Sequence, residues 1–409
     1  MSGRSRFLPR FCAIAALAAI AACTPPPAPP AVPVLAPPPP APIAGNPLDR
    51  ELPGYLRLPG MAPDQVPVRV GVILPFSSSA AQTRNLAASM LKAAELAMFD
   101  SGNRNILLMT ADEGNGGANA AKAAQQLLAQ GAEVIVGPLF GPSVQAVAPM
   151  ARDRGVPVLA FSTEKSVAGN GAYLLSFLPQ IEVRRVVGYA AANGHHQFAA
   201  LLPHSAYGDV AGSAFSDAVT SAHGAVVDVE HFNTDAGDVA APSEAVVKSG
   251  ADAVLIAQGG VMLRAIAPTL SFHGASRDKV KLLGTGLWAD DPQLARESSL
   301  VGSWYAAPSP NADEQFVTKY RTTFGAAPAS IASLAYDAVS LVALLSQGQP
   351  YHRFTQAALM DPNGFAGVNG IFRFTPDGTS ERGLAVMEIT PAGPVVVSPA
   401  PTTFQGKNS

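Results

Sequence analysis

The stretch Glu133-Val134-Ile135-Val136-Gly137-Pro138-Leu139-Phe140-Gly141-Pro142-Ser143, continuing through Val147-Ala148-Pro149 to Gly155-Val156-Pro157-Val158-Leu159-Ala160-Phe161, decides the fold. Glu133–Val136 and Pro157–Phe161 are short aliphatic, β-branched runs, and Ser143–Asp153 between them has helical spacing. Gly155 stands where that helix must stop, the left-handed position that glycine fills without strain. A strand, a helix and a strand in this order are the repeating unit of a parallel sheet. Working outward, strands are expected at Val68–Leu74, Asn105–Thr110 and Tyr173–Phe177, with helices at Leu86–Asp100 and Ala118–Gln130. A second series follows: strand Gln197–Leu202, helix Val210–His223, strand Ala225–Phe232, helix Ser243–Ser249, strand Ala253–Ala257, helix Met262–Phe272 and strand Lys281–Leu283. Gly102, Gly131, Gly224 and Gly250 repeat the helix-stop signal of Gly155. Two doubly wound α/β sheets in tandem are implied.

After a strand at Ser303–Ala306 come helical patterns at Glu314–Phe324 and Ser330–Leu345, then strands and turns from Gly364 to Val397, with a turn at Thr375-Pro376-Asp377-Gly378. This order predicts a chain that crosses between two lobes three times, near Pro179, Pro308 and Gly348. Lobe 1 is then 67–178 and 308–347, and lobe 2 is 179–307 and 348–396. A three-stranded hinge joins them, and 397–409 is a tail.

The first 22 residues read as a secretory leader, with Arg4, Arg6 and Arg10 ahead of an apolar run, Phe11–Ala22, too short to span a bilayer. Ile20-Ala21-Ala22-Cys23 resembles the bacterial lipobox, whose cysteine is lipidated and becomes the mature N-terminus. Pro25-Pro26-Pro27 would break any helix continuing through it. Loss of the leader takes the net charge from −3 to −6, which gives no electrostatic reason for a nucleic-acid partner. Cys12 leaves with the leader and Cys23 carries lipid, so no thiol is left for a disulfide, a metal or a nucleophile. Residues 23–66 are rich in Pro and Ala and lack apolar periodicity, as expected of a tether. In polyproline II form, some 40 residues reach on the order of 100 Å. The remainder, in a chain with 48% hydrophobic and 14% charged residues, has globular rather than disordered or membrane-bundle composition.

Val134 to Ser143, Gly155 to Ser162, Val70-Gly71-Val72-Ile73-Leu74-Pro75 and Ala206-Tyr207-Gly208-Asp209 resemble the leucine/isoleucine/valine-binding proteins, from about Arg69 to Ile389. The resemblance implies the type I periplasmic binding protein fold, two Rossmann-like lobes with a ligand cleft. Within that group, Gly194–Gly208, Gly284-Thr285-Gly286-Leu287-Trp288, Ser333-Leu334-Ala335-Tyr336-Asp337-Ala338, Asp361-Pro362-Asn363-Gly364-Phe365 and Gly370-Ile371-Phe372-Arg373-Phe374 resemble the outer-membrane lipoproteins known as penicillin-binding-protein activators, in their short form. The better-known activators carry an additional N-terminal helical-repeat domain, whose place the Pro-rich segment takes here.

In open α/β sheets ligands bind at the carboxyl ends of the strands. Those positions are Ser77, Ser78 and Ser79, Asp112 to Asn115, Leu139 to Ser143 (with Phe140 and Gly141), Ser162, Thr163 and Glu164, Tyr207, Gln258 to Val261, and Thr285 to Trp288 (with Gly286). Hydroxyls, amides and two aromatics suit a neutral or weakly anionic small molecule, or a peptide. The resemblance implies that relatives hold an amino-acid carboxylate with a serine at the position of Gly141, with small or hydroxyl residues at Ser162 and Glu164, and with a tyrosine at Tyr207. They meet its ammonium with an aromatic at Val261 and an acid at Gly286. Only Ser162 and Tyr207 keep that chemistry. A buried ammonium without its counter-charge costs several kcal/mol, so Glu164, Asp290 or Asp291 must replace it, or leucine, isoleucine and valine bind poorly.

No G-x-S-x-G, P-loop or H-E-x-x-H occurs, and Gly284 to Ala289, a loose G-x-G-x-x-A, reads as a turn at the cleft rim. His195, His196, His204, His223, His231, His273 and His352 do not pair at metal-ligand spacing, and Asp112-Glu113 reads as a solvated strand end. Neither catalysis, metal nor cofactor is expected. Two classes of function remain. One is an activator-type regulator contacting a peptidoglycan synthase from the periplasmic face of the outer membrane. The other is the substrate-binding component of an ABC transporter for amino acids, peptides or amides, working with an ABC permease. Thr24, where an Asp retains lipoproteins at the inner membrane, favours the first. Cys23→Ala is expected to release the protein from the membrane fraction, and mass spectrometry finding an unmodified Cys23 or cleavage elsewhere would contradict lipid anchoring.

Overall fold

The computed structural model describes residues 67–234, 238–289, 291, 293–350 and 352–405, so the leader, Cys23, the Pro-rich segment and Asp290 lie outside it. The first lobe is built from β1 (Val68–Leu74), α1 (Ala81–Asp100), β2 (Ile106–Asp112), α2 (Gly117–Ala129), β3 (Val134–Val136), α3 (Gly141–Arg152), β4 (Val158–Ala160) and β5 (Ala172–Leu174). Its sheet runs β2-β1-β3-β4-β5 with every pair parallel. All seven residues of β1 are buried, as expected of a strand covered by helices on both faces. The two-residue alternation divides them: Val68, Val70, Val72 and Leu74 pack under α1, while Ile73 joins the core beneath α2 and α3. Gly71 shares that second face because a Cβ there would sit 2.9 Å from Leu127 Cδ1 of α2.

The second lobe holds α4 (Pro179–Ala192), β6 (Gln197–Pro203), α5 (Ala206–Ser221), β7 (Ala225–Phe232), α6 (Ala240–Lys248), β8 (Ala253–Ile256), α7 (Gly260–Phe272), β9 (Lys281–Gly284) and β10 (Trp304–Ala307). The chain then returns through α8 (Glu314–Phe324), α9 (Ala332–Leu345), α10 (Gln356–Leu359) and a three-stranded sheet of β11 (Phe365–Gly367), β12 (Gly370–Phe374) and β13 (Ser380–Arg382). β14 (Ala385–Thr390) and β15 (Gly393–Ser398) complete a seven-stranded sheet ordered β15-β14-β10-β9-β8-β6-β7, antiparallel at β14 and β15 and parallel elsewhere.

Four expectations need correction. α4 has no counterpart among the expected helices, although the crossing expected near Pro179 does lie beside it. The crossing comes just before it, and Pro179 opens the helix, where its missing N–H costs nothing. Residues 348–382 belong with lobe 1 rather than lobe 2: Phe354, Leu359, Phe372 and Phe374 lie in the first-lobe core, and Phe374 packs on Tyr173 with ring centroids 5.2 Å apart. The third crossing therefore falls at Gly383–Leu384. The tail is not free either, because Phe404 is buried and lies 4.5 Å under the Arg373 guanidinium, returning the chain to lobe 1 after β15. Finally, the left-handed residue after α5 is His223 (φ 58°), not Gly224. Gly224 is needed for space, since a Cβ would lie 2.8 Å from Phe198 Cε2.

At the crossings a buried ion pair joins the pieces. Arg382 ends β13 and lies 3.6 Å from the Asp337 carboxylate of α9, both side chains 1% exposed. Its Nε donates to the Ser176 carbonyl in the first crossing (3.3 Å), and its guanidinium sits 4.7 Å from the Phe177 ring and 5.3 Å from that of Phe372. Asp337 also accepts from the Val368 N–H at 2.7 Å. Burial, against the pull of Arg382, pushes the Asp337 carboxyl up to about 6. The native state thus holds this proton at a pH where the unfolded chain has lost it. The stability contributed by Asp337 is present below about pH 4 and declines as pH rises to about 6. Asp337→Asn, a neutral near-isostere of the protonated carboxyl, is expected to flatten the decline in stability between about pH 4 and 6 in denaturant unfolding. A decline of unchanged size in the variant would remove Asp337 as its source.

Candidate functional site

The chain leaves each sheet at the carboxyl end of a strand, β5 in lobe 1 and β10 in lobe 2. The first crossing leaves the end of β5 and enters α4, whose first turn bears Glu182; the Glu182 carboxylate accepts from the Gly286 N–H at the end of β9 (3.0 Å). The β10 end likewise leads back to lobe 1. In open α/β sheets ligands bind at the loops that follow the parallel strands, and these loops are the candidate site here.

On the lobe 1 side, much of the expected binding chemistry is committed to holding the loops. The Ser77 N–H donates to Asp112 at 3.0 Å and its hydroxyl bonds the same carboxylate. Burial raises the Asp112 pKa, but these donors and the Gly114 N–H outweigh it and hold the carboxyl below the usual aspartate range. Ser78 is nearly buried, and its hydroxyl accepts from the Ala80 N–H at 3.4 Å. Glu113 is not the solvated loop residue expected: it is fully buried and accepts from the N–H groups of Leu139 (2.9 Å) and Phe140 (3.0 Å), fixing the turn into α3. Burial pushes its carboxyl upward, against those donors.

Phe140 precedes α3 and is 39% exposed, whereas Ser143, a candidate ligand contact, is fully buried. The Glu164 carboxylate lies directly against Gly141, filling the space that a side chain at 141 would take. Its own N–H donates to Ser162 Oγ at 3.1 Å. Ser162 is buried, and Thr163 and Glu164 are exposed.

On the lobe 2 side, the Tyr207 hydroxyl is 2.9 Å from Thr285 Oγ1, and burial followed by the nearby Glu182 charge pushes it well above the usual tyrosine range. Glu182 stands in space where the acid expected at Gly286 is missing, because a Cβ on Gly286 would lie 2.6 Å from its Oε1. The candidate replacements named from sequence fare differently: Asp291 pairs with Arg264, and Glu164 belongs to the opposite lobe. Gln258 is half-buried and Val261 is 74% exposed. Trp288, expected to line the cleft, is fully buried, with its Nε1–H donated to the Gln258 carbonyl (2.9 Å) and its indole stacked over Gly284. The structure thus brings Ser162 and Glu164 together beside Gly141 in lobe 1, and Tyr207, Thr285 and Gly286 together near Glu182 in lobe 2, while Ser77, Ser78, Ser143 and Trp288 are bonded or buried within the loops. Glu182 was missed because the helix carrying it was.

A family model described as periplasmic binding protein matches residues 67–394. The chain belongs to that family. Membership implies a periplasmic or exported ligand-binding protein, of a kind generally without enzymatic activity. No curated protein matches the chain. Among solved structures it is similar to a protein from Rhodospirillum rubrum assigned to a branched-chain amino acid ABC transporter (TM-score 0.72, 18% identity, covering 81% of this chain and 100% of that one). It is also similar to an ABC transporter substrate-binding protein from Sphaerobacter thermophilus (0.66, 18%, 82% and 98%). A third is a branched chain amino acid ABC transporter periplasmic ligand-binding protein from Burkholderia xenovorans LB400 (0.65, 18%, 83% and 97%). At such identities the likeness speaks to the fold.

The placement of Trp288 yields a direct check. Trp288→Ala is expected to behave as a core truncation, costing about 3–5 kcal/mol in denaturant unfolding; near-native stability would return Trp288 to the cleft lining.

Proposed function

We propose that this periplasmic binding protein is a non-catalytic receptor that closes its two lobes over a small ligand, and that it is the substrate-binding component of an ABC transporter with an ABC permease as partner. The observation that supports this reading is a set of polar groups at the carboxyl ends of each sheet, Ser162 and Glu164 in lobe 1 and Tyr207, Thr285 and Glu182 in lobe 2. The names of the structural relatives support it.

One observation favours a second reading, the activator-type regulator of peptidoglycan synthesis at the outer membrane. Glu164 fills the place beside Gly141 where the resemblance puts an amino acid's carboxylate, as expected of a cleft that has given up amino acids. Thr24 and the Pro-rich 23–66 segment, with reach toward a peptidoglycan synthase, fit it too.

A thermal-shift screen of the full chain with amino acids, amides, amines and short peptides separates the two. A ligand that binds only the native state at 100 times its Kd adds about 2.7 kcal/mol of stability. The receptor reading predicts such a shift for at least one class. No shift from any class, together with stimulation of a peptidoglycan synthase by the same protein, would replace it with the activator reading.

A further inference from the structure

We propose that the protein carries a second small-molecule site, a cavity on the flank of the two lobes that takes an uncharged polyhydroxyl compound the size of a simple sugar. It goes beyond the receptor reading and uses none of the strand-end residues on which that reading rests. On the lobe 2 side the cavity is walled by the start of α4 and the later half of α5, and on the lobe 1 side by Lys165 and the Thr375–Glu381 turn. Its volume is about 490 Å³, inside the range of about 300–1,000 Å³ usual for small-molecule sites. Two polar groups in its wall are buried without a partner. Ser380, 1% exposed, stands on β13 opposite Phe374, and Gln180 is in the first turn of α4. Among the described residues, neither Ser380 Oγ nor Gln180 Oε1 has a hydrogen-bond partner. Neither side chain serves its own element, since β13 pairs through its backbone and no side chain caps α4. A buried polar group left unpaired is costly, and a ligand hydroxyl, which both donates and accepts, completes either one.

The charges around the cavity cancel, which sets the ligand class. Lys165 Nζ lies 3.5 Å from Asp377, Arg184 lies 3.8 Å from Glu381, and Glu381 also accepts from Arg373 Nε at 2.7 Å. With the exposed Asp217 in the wall, Lys165, Arg184 and Arg373 balance Asp377, Glu381 and Asp217. A charged ligand has to compete with one of these pairs, whereas an uncharged one leaves them in place. The rest of the wall, Leu178, Ile181, Ala214, Ala218 and Pro376, is apolar and suits the C–H face of a sugar ring or the carbon chain of a polyol. Because an occupant touches both lobes, its binding is coupled to any change in their relation.

The test is titration calorimetry on the full-length protein with glucose, galactose and mannitol, set against glucosamine and glucuronate, the charged counterparts of glucose. Calorimetry is preferred to thermal shift because sugars at high concentration stabilise any folded protein through exclusion from its surface. At least one uncharged probe is expected to bind, and glucosamine and glucuronate are expected to bind about tenfold more weakly. Ser380→Ala, which removes an unpaired hydroxyl and leaves the fold intact, and Gln180→Leu are each expected to weaken sugar binding about fivefold. Tyr207→Phe, at the strand ends, is expected to leave it unchanged. Binding of no uncharged probe, or binding of glucosamine or glucuronate at least as tight, overturns the inference and leaves the receptor reading untouched. So does sugar binding that folded Ser380→Ala and Gln180→Leu variants retain in full. Loss of binding in Tyr207→Phe instead puts the sugar at the strand ends, which removes this second site and supports the receptor reading.

Discussion

The Arg382–Asp337 pair is the interaction on which the relation of the lobes depends. Arg382 stands at the last residue of lobe 1 before the third crossing, bonds the backbone of the first crossing at Ser176, and lies between the rings of Phe177 and Phe372. Asp337 fixes it to α9 and, through Val368, to the three-stranded sheet. Arg185 of α4 continues the connection into lobe 2, donating to the Leu384 carbonyl (2.8 Å) and Ser398 Oγ (2.7 Å). A buried ion pair is a poor source of net stability, because desolvation offsets much of its Coulomb gain. Its value here is geometric: the pair ties the first crossing, at Ser176 and Phe177, to the start of the third, at Arg382.

The cleft follows from that arrangement. Loops at the strand ends are held from within by Asp112 and Glu113 on one side and by Trp288 and Glu182 on the other. Carboxylates therefore satisfy backbone N–H groups that the turns leave open. The sheets set the periplasmic binding-protein architecture while the residues at the strand ends are left to vary, which is how a single fold serves many ligands.

The regular elements were legible because they announce themselves locally. The aliphatic runs of β1 and β3 and the amphipathic spacing of Glu314–Phe324 need no knowledge of what packs against them. α4 was not legible: Pro179 at its start reads as a break, and Arg184 and Arg185 sit among Val183, Val186 and Val187, obscuring the buried face. The assignment of residues 348–382 failed for another reason. Which lobe receives Phe354, Phe372 and Phe374 is decided by long-range packing on Tyr173 and its neighbours, not by any local pattern. At the site, residue types were legible but orientations were not. Adjacent Asp112 and Glu113 look alike in sequence, yet one faces Ser77 and the other is buried under Leu139 and Phe140. Glu182 and Gly286 are 104 residues apart, and only the fold brings the acid to the glycine.

The account stands or falls on the lobes moving as two bodies that enclose a ligand. The chain's two cysteines, Cys12 and Cys23, lie outside the described residues, so a Thr163→Cys, Asp209→Cys variant with both replaced by alanine carries one spin label on each lobe. Pulsed electron–electron double resonance on that protein, with and without a saturating ligand from the thermal-shift screen, measures the separation directly. The account predicts a shorter and narrower distance distribution with ligand. An unchanged distribution at saturation would contradict it.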